Sequence, residues 1–416
     1  MTSTMTNTLL RDIGCLVTMA PLAQSRRAHH VVKDDLGVVH NAWIAVESGK
    51  TLATGTGPVP ARFESWPQKS CKGALVMPGL IDAHTHAIFG GTRSREFCMR
   101  LDGASYQDIA KAGGGIKSTV KATREASDAA LEQLLMERLQ TFLKYGVTTV
   151  EAKSGYGLNT SEELRLLRIL KSARSKSPQT LSVTCLALHA VMPEFRTPRE
   201  WVTAAVSGIL PVVIKENLAD AVDAFVERGY FEPEDVRPYL DFAKKSGLAV
   251  RLHADEFADS GGALLAAEYG ALSADHLQHA PATAPAHMAA AGTVATLLPG
   301  TSLYTRIPFT NAQRFVQEGC AVALATDFNP GSSVVNNLPM MVTIGALHCG
   351  LSAAAAIVAV TFAAAKALGL EHRKGAIFAG YDADYIVHRM DSLDDFVADM
   401  GRSLPEEVWI KGVRIV

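Results

Sequence analysis

Between residues 75 and 327 the sequence switches repeatedly between short apolar runs of strand length and longer stretches whose apolar residues recur with helical period. The strand-length runs lie near 75–84 (LVMPGLIDAH), 147–151 (VTTVE), 181–189 (LSVTCLALH), 221–227, 248–253 (LAVRLH), 272–276, 293–298 and 321–327 (AVALATD). Among the intervening stretches, 128–145 repeats Leu131, Leu135, Leu139 and Phe142 on one face, with Ser127 as N-cap and Gly146 as the stop. Another stretch opens on Thr160-Ser161-Glu162-Glu163, which has the form of a capping box. Strands separated by helices must be joined by crossovers, which makes neighbouring strands parallel. Eight such units close a (β/α)8 barrel of the TIM type, usually about 250 residues long.

The two ends of the chain read differently. HHVVKDD and VHNAWIAVESGKTLATGTG near the start, and YIVHRM and VWIKGVRIV near the end, are short β-rich runs separated by turn residues. Residues 1–75 and 372–416 are therefore expected to build one small β-sandwich domain from both termini, leaving 76–371 as the barrel. Such a plan fits 416 residues, of which 48% are hydrophobic and 20% charged. A net charge of −2 without a long basic run argues against nucleic acid or an anionic membrane as partner. Six cysteines without a CxxC pair argue for a reducing compartment and against a thiolate metal site. Arg11 and Asp12 interrupt the apolar N-terminal stretch, which makes it a poor signal peptide. The Ala-rich stretch 352–368 carries Lys366 and reads as a buried helix rather than a membrane span. A cytoplasmic globular enzyme is expected.

Polar residues gather at the C-terminal ends of the strand-length runs, which is where a barrel of this kind builds its active site. In an extended strand, residues two apart point the same way, so His84 and His86 of PGLIDAHTH aim both imidazoles into the barrel mouth, where they can share a cation. His253 closes LAVRLH, Asp327 closes AVALATD and His276 ends the run at 272–276. Each has a plainer reading, as a satisfied histidine or a helix cap. Their common placement is hard to assign to independent chance.

With these positions the chain resembles the amidohydrolase superfamily, which carries HxH after strand one, His on strands five and six, and Asp on strand eight. The resemblance narrows to imidazolonepropionases through PGLIDAHTHAIFGGTR, LDGASYQDIAKAGGGIKSTVKATREAS, VEAKSGYGL, LALHAV, LHADEF, ADHL and ATDFNPGSS, spread from about 76 to 332. HxH marks the superfamily, whereas AGGGIKSTVKATREAS and SGYGL are characteristic of the one family. The first 25 or so residues match nothing specific.

The resemblance implies that His84, His86, His253 and Asp327 hold one Zn²⁺ or Fe²⁺/Fe³⁺. It also implies hydrolysis of the cyclic amide of 4-imidazolone-5-propanoate to N-formimidoyl-L-glutamate, a step of histidine degradation. Asp327 and His276 would take the proton of the attacking water, and Glu256 would contact the ring or relay a proton to its nitrogen. Arg93 would meet the propanoate, with Tyr106, Tyr156, His189, Asn329, Gly331 and Ser332 as further substrate contacts. Plain readings stand beside these: Arg93 can pair with Glu96, Glu256 can serve a helix N-terminus, and NPGSS is a turn followed by a cap.

Binuclear superfamily members bridge two ions through a lysine on strand four. The run at 221–227 has none, and Lys153 and Lys215 read as surface lysines or lysines behind the site. Gly113-Gly114-Gly115 lacks the Lys-Ser/Thr of a phosphate loop and reads as a flexible cover near the mouth. A homodimer acting on a small molecule is expected. The alternatives are a related cyclic amidohydrolase or aminohydrolase acting on another carboxylate-bearing ring, and a non-enzymatic metal-binding relative.

Overall fold

The computed structural model describes residues 7–104, 108, 113–390, 392–401 and 404–416. Among these residues the chain forms two eight-stranded sheets. The first contains β1 (Thr8–Val17), β2 (Val38–Glu47), β3 (Lys50–Thr56), β4 (Gln68–Ser70) and β5 (Leu75–Pro78). The second contains β6 (Leu80–Asp82), β7 (Val147–Lys153), β8 (Thr180–Leu188), β9 (Ala221–Val226), β10 (Ala249–Ala254), β11 (Ser273–His276), β12 (Val294–Leu297) and β13 (Val322–Leu324). Strands β14 (Tyr385–His388), β15 (Glu407–Ile410) and β16 (Val413–Arg414) return to the first sheet, where β14 pairs antiparallel with β5.

Every pairing from β6 to β13 is parallel and between consecutive strands. The circle closes just beyond β6 and β13 rather than within them. The amide of Asp327 donates to the His84 carbonyl (3.0 Å), the amide of His86 donates to the Phe328 carbonyl (2.9 Å), and Thr85 and Phe328 form a parallel bridge. Thr326 adds its amide (3.1 Å) and hydroxyl (2.6 Å) to the Asp82 carboxylate. The fold is therefore the expected (β/α)8 barrel with a sheet built from both termini.

Local chemistry explains most of the elements. The helix Asp128–Lys144 is capped by the Ser127 hydroxyl, which accepts from the Ala130 amide (3.2 Å), and it ends where Gly146 takes a positive φ. Its Leu131, Leu135, Leu139 and Phe142 are buried against the barrel, each worth roughly 1.5–3 kcal/mol. In the terminal sheet, Leu10, Ile44 and Val46 pack to one side with Tyr385 and Trp409, and Leu9, Trp43 and Ala45 to the other with Phe63. Alternation along β1 and β2 feeds both faces.

Three local expectations are corrected, and one strand is added to the terminal sheet. HHVVKDD forms no strand, and Lys33–Leu36 is a 3-10 turn. The N-terminal stretch that matched nothing contains β1, which lies between β2 and β5. The run 75–84 is divided, because Pro78-Gly79 carries the chain out of the terminal sheet and into the barrel. The cap of the helix Thr160–Lys176 is Asn159, whose side chain accepts from the Glu162 amide (2.9 Å). Glu163 does not complete a capping box. Its carboxylate instead accepts from the amides of Gly155 (3.1 Å), Gly157 (2.7 Å) and Leu158 (2.8 Å).

Candidate metal centre and active site

The barrel mouth gathers five side chains from four strand ends. His84 and His86 follow β6, His253 lies in β10, His276 ends β11 and Asp327 follows β13, and all five are buried. Asp327 Oδ1 lies 3.4 Å from His84 Nε2 and 3.3 Å from His86 Nε2, and the Nε2 atoms of His86 and His253 are 3.3 Å apart. Four donors each about 2.0–2.1 Å from a shared ion would stand about 3.3–3.4 Å from one another at tetrahedral angles. These three contacts thus have the spacing that a small divalent ion requires, with His84, His86 and Asp327 forming one close group and His253 joining it through His86 and His84. His84 Nε2 is buried without a hydrogen-bond partner, the condition of a lone pair waiting for a Lewis acid. His276 lies within reach of the same centre through His84 and His253.

The groups behind the centre fix its orientation. His84 Nδ1 lies 2.6 Å from Asp275 Oδ2, and His253 Nδ1 lies 2.9 Å from Asp223 Oδ2. A carboxylate at Nδ1 makes that nitrogen the donor and turns Nε2, with its lone pair, toward the mouth. Thr301 donates to Asp327 Oδ2 (2.5 Å), which leaves Oδ1 facing the histidines. Asp327 and His276 both hold a positive φ, 51° and 77°, a conformation uncommon for residues with a side chain. Hydrogen bonds over-determine it: the Asp327 amide binds the His84 carbonyl, and the His276 carbonyl accepts from Thr310 (2.8 Å).

Beyond the centre opens a cavity of about 280 Å³. Arg93, Tyr156, His189, Glu256, Asn329, Gly331 and Ser332 all line it. Tyr106 lies outside the described residues. His189 Nδ1 is 2.9 Å from the Gly155 carbonyl, so that nitrogen donates and Nε2 is left as an acceptor. Its ring stacks on His86 with centroids 5.1 Å apart.

Arg93 does pair with Glu96 (2.8 Å), and Glu96 is held in turn by the Gly115 amide (3.0 Å) and Ser118 (3.2 Å). The pairing uses Nε, while Nη1 packs so closely on Gly331 that a Cβ there would lie 1.9 Å from it. Asn329 is engaged in its own turn, accepting from the Gly331 and Ser332 amides (2.8 Å each). Gly115 thus ties the glycine run to Arg93 by way of Glu96. Of the two readings given for these lysines, Lys153 takes the one behind the site, fully buried beneath the histidines, while Lys215 is exposed on the helix Leu210–Glu216.

Burial shapes the acid–base character of the site. It pushes the Glu256 carboxyl well above the ordinary range, and the nearby charges of Asp327 and Glu227 push the same way. Burial holds His276 and His189 well below the ordinary histidine range and His86 at about 4. His276 is therefore held toward its neutral form, in which a ring nitrogen can accept a proton. His276 Nδ1 and Glu256 Oε1 are 3.7 Å apart, too far for a direct hydrogen bond.

Several contributors were not foreseen. Arg100, two turns after Arg93 on the helix Ser94–Leu101, brings a second guanidinium to the cavity and donates to the Gly331 carbonyl (3.1 Å). Phe225, Tyr230 and Phe257 supply an aromatic wall. Asp275 directly precedes His276, whereas Asp223 adjoins no candidate residue in the sequence.

Comparison with known proteins agrees with this geometry. The model of the amidohydrolase family matches residues 75–415. The chain is 41% identical over 403 residues to an imidazolonepropionase of Geobacillus kaustophilus, covering 95% of this chain and 93% of the relative. It is 42% identical over 386 residues to an imidazolonepropionase of Symbiobacterium thermophilum, covering 91% and 90%. The chain belongs to the imidazolonepropionase family. Among solved structures, a triazine hydrolase variant superposes with a TM-score of 0.77 at 16% identity over 99% of this chain and 95% of its own. An adenosine deaminase from Xanthomonas campestris with bound zinc superposes with a TM-score of 0.72 at 19% identity over 98% and 92%. At such identities the likeness is one of fold alone.

Proposed function

We propose that this chain opens the ring of 4-imidazolone-5-propanoate by metal-dependent hydrolysis, giving N-formimidoyl-L-glutamate in histidine degradation. The observation that carries the proposal is the joining of two features in one cavity: the cluster of His84, His86, His253 and Asp327 at its floor and the Arg93 guanidinium on its wall. A substrate with a free carboxylate on a short arm spans such a cavity. Arg93 takes the carboxylate through its Nη atoms, with Arg100 beside it. His189 Nε2, left as an acceptor, takes a ring N–H. Tyr156, Asn329, Gly331 and Ser332 close around the ring and the carboxylate arm.

The donor set of three imidazoles and one carboxylate suits Zn²⁺ and Fe²⁺ equally, and one ion is proposed. When bound, the ion lowers the pKa of water and polarises the ring carbonyl. The remaining steps belong to the chain. Asp327, held by Thr301, and neutral His276 take the proton of the attacking water. Glu256, kept protonated by burial, gives its proton to the departing ring nitrogen.

The same reading divides the chain into 1–75 plus 372–416 and 76–371, and takes the enzyme to be a homodimer of the cytoplasm. All six cysteines are free, with Cys98 exposed, which suits a reducing compartment. No helix among the described residues is long and apolar enough to cross a membrane.

The deciding assay follows ultraviolet absorbance of 4-imidazolone-5-propanoate with protein stripped by chelator and then reloaded with Zn²⁺ or Fe²⁺, beside a control without protein. Metal-restored decay with formimidoyl-glutamate appearing is expected. Decay at the control rate with loaded protein would remove this substrate and leave other carboxylate-bearing rings to be tried.

A further inference from the structure

Lys153 ends β7 and is fully buried beneath the histidines, although the proposed reaction gives it no task. Its ammonium lies 2.9 Å from Glu151 Oε1, 2.9 Å from Asp223 Oδ2 and 3.9 Å from Asp275 Oδ2. Each of these carboxylates continues to the metal cluster. Asp223 accepts from His253 twice, through Oδ2 from Nδ1 (2.9 Å) and through Oδ1 from the backbone amide (3.0 Å). Asp275 Oδ2 meets His84 Nδ1 at 2.6 Å, while its Oδ1 is buried without a partner. Glu151 Oε2 accepts from the Thr85 amide (3.0 Å), which lies between His84 and His86.

The charges explain why a cation is needed at this node. Three carboxylates converge in the buried barrel interior, and among the described lysines and arginines the other one touching them is Arg251, which reaches Glu151 at 3.3 Å and otherwise bonds to Thr184 and Ser182. Arg251 does not touch either aspartate directly. Without the ammonium, Asp223 and Asp275 would keep only their histidine partners against their mutual repulsion in low dielectric, and carboxylates so placed move apart or draw in water. A carboxylate that moves releases its histidine, whose ring is then free to turn. Burial alone would favour a neutral lysine, but Asp223, Glu151 and Asp275 outweigh it and keep the ammonium charged.

We propose that Lys153 is a positioning residue for the metal centre, an internal counter-ion that holds Asp223 and Asp275 where they fix the rings of His253 and His84 with Nε2 toward the ion. The inference rests on the ligand set proposed above and deepens it. It assigns the lysine of VEAKSGYGL a part in metal affinity rather than in catalysis or packing.

The test is a double-mutant cycle on the full-length apo protein, with Lys153→Met, Asp275→Asn and the pair together. Zn²⁺ affinity is read by competition with a chromophoric chelator, and folding by circular dichroism. Lys153→Met is expected to weaken Zn²⁺ binding about 10- to 100-fold, the range for groups that orient metal ligands. Asn at 275 can still accept from His84 and carries no charge, so the losses should overlap. The double variant should then bind Zn²⁺ at least as tightly as Lys153→Met alone.

Two results overturn the proposal: Lys153→Met binding Zn²⁺ as tightly as the parent, or losses that simply multiply. If Lys153→Met does not fold, the double variant decides. A folded, Zn²⁺-binding double variant supports the counter-ion role, whereas an unfolded one makes Lys153 a packing element and refutes it. A parent protein that binds no Zn²⁺ would defeat the ligand set itself, and the inference with it.

Discussion

At the scale of single residues, the wall of the cavity depends on one close approach. Arg93 Nη1 occupies the space a side chain at 331 would take, and Glu96 holds the guanidinium from its other edge. Gly331→Ala must therefore displace Arg93. The protein should keep its fold while KM rises about 10- to 100-fold, because a charge-assisted hydrogen bond to the substrate carboxylate is worth roughly 1.5–3 kcal/mol. Steady-state kinetics would check this, and an unchanged KM would mean that the carboxylate does not lie at Arg93.

Glu256 gives a second residue-scale prediction. Its carboxyl is raised by burial and then by Asp327 and Glu227, so it stays protonated into a range where ordinary carboxyls have ionised. A raised value in the folded state favours folding below the ordinary carboxyl pKa, and the advantage is lost as pH rises through the raised value. Glu256→Gln should accordingly gain thermal stability relative to the parent at pH 8 but not at pH 4. Its rate should lose the decline that deprotonation of Glu256 imposes at high pH. Parallel melting curves and pH–rate profiles would expose a failure of either part.

At the scale of elements, the loop after β7 hangs on the first turn of the next helix. The Glu163 carboxylate accepts three amides of SGYGL, and Gly155 and Leu158 there hold positive φ values of 105° and 51°. Glu163→Ala would strand those buried donors, at about 1–3 kcal/mol each before water enters. We expect a melting temperature lower by several degrees together with a raised KM, since Tyr156 rides on the same loop. A stable variant with normal KM would show that the loop is held by other contacts.

The motif Thr160-Ser161-Glu162-Glu163 also shows where reading a sequence stops. It placed a helix start to within one residue, because capping chemistry is local. It could not show that the second glutamate turns away from the helix to serve the preceding loop.

At the scale of the whole molecule, the two ends of the chain are tied to each other by charge. Asp382 pairs with Lys50 of β3 and with Arg373 and Lys374 of the C-terminal segment, and Lys374 also binds Asp384. Burial would raise the Asp382 carboxyl, but Lys374, Lys50 and Arg373 hold it well below the ordinary carboxylate range. A depressed carboxyl contributes stability above its unfolded pKa of about 3.9, and the contribution is lost as pH falls toward the folded value. Asp382→Asn should thus melt well below the parent at pH 7, with the difference shrinking steadily below about pH 4. A gap independent of pH would refute the assignment.

What the sequence determined by itself is whatever depends on period and on position within an element. The alternation of strand and helix specified the barrel, period-two spacing put His84 and His86 on one side, and placement at strand ends selected His253, His276 and Asp327. Closing the barrel then had to bring those ends together, because eight parallel strands share one mouth. What only the tertiary structure decided is everything set by contact between distant segments. Arg100 became a second cation at the cavity only when its helix packed against the loop holding Gly331. Lys153 has no periodic signature that separates it from a surface lysine. Its role is set when β7, β9 and β11 curve round a buried interior and place two aspartates against it, because a charge in low dielectric is defined by its neighbours rather than by its own residue type.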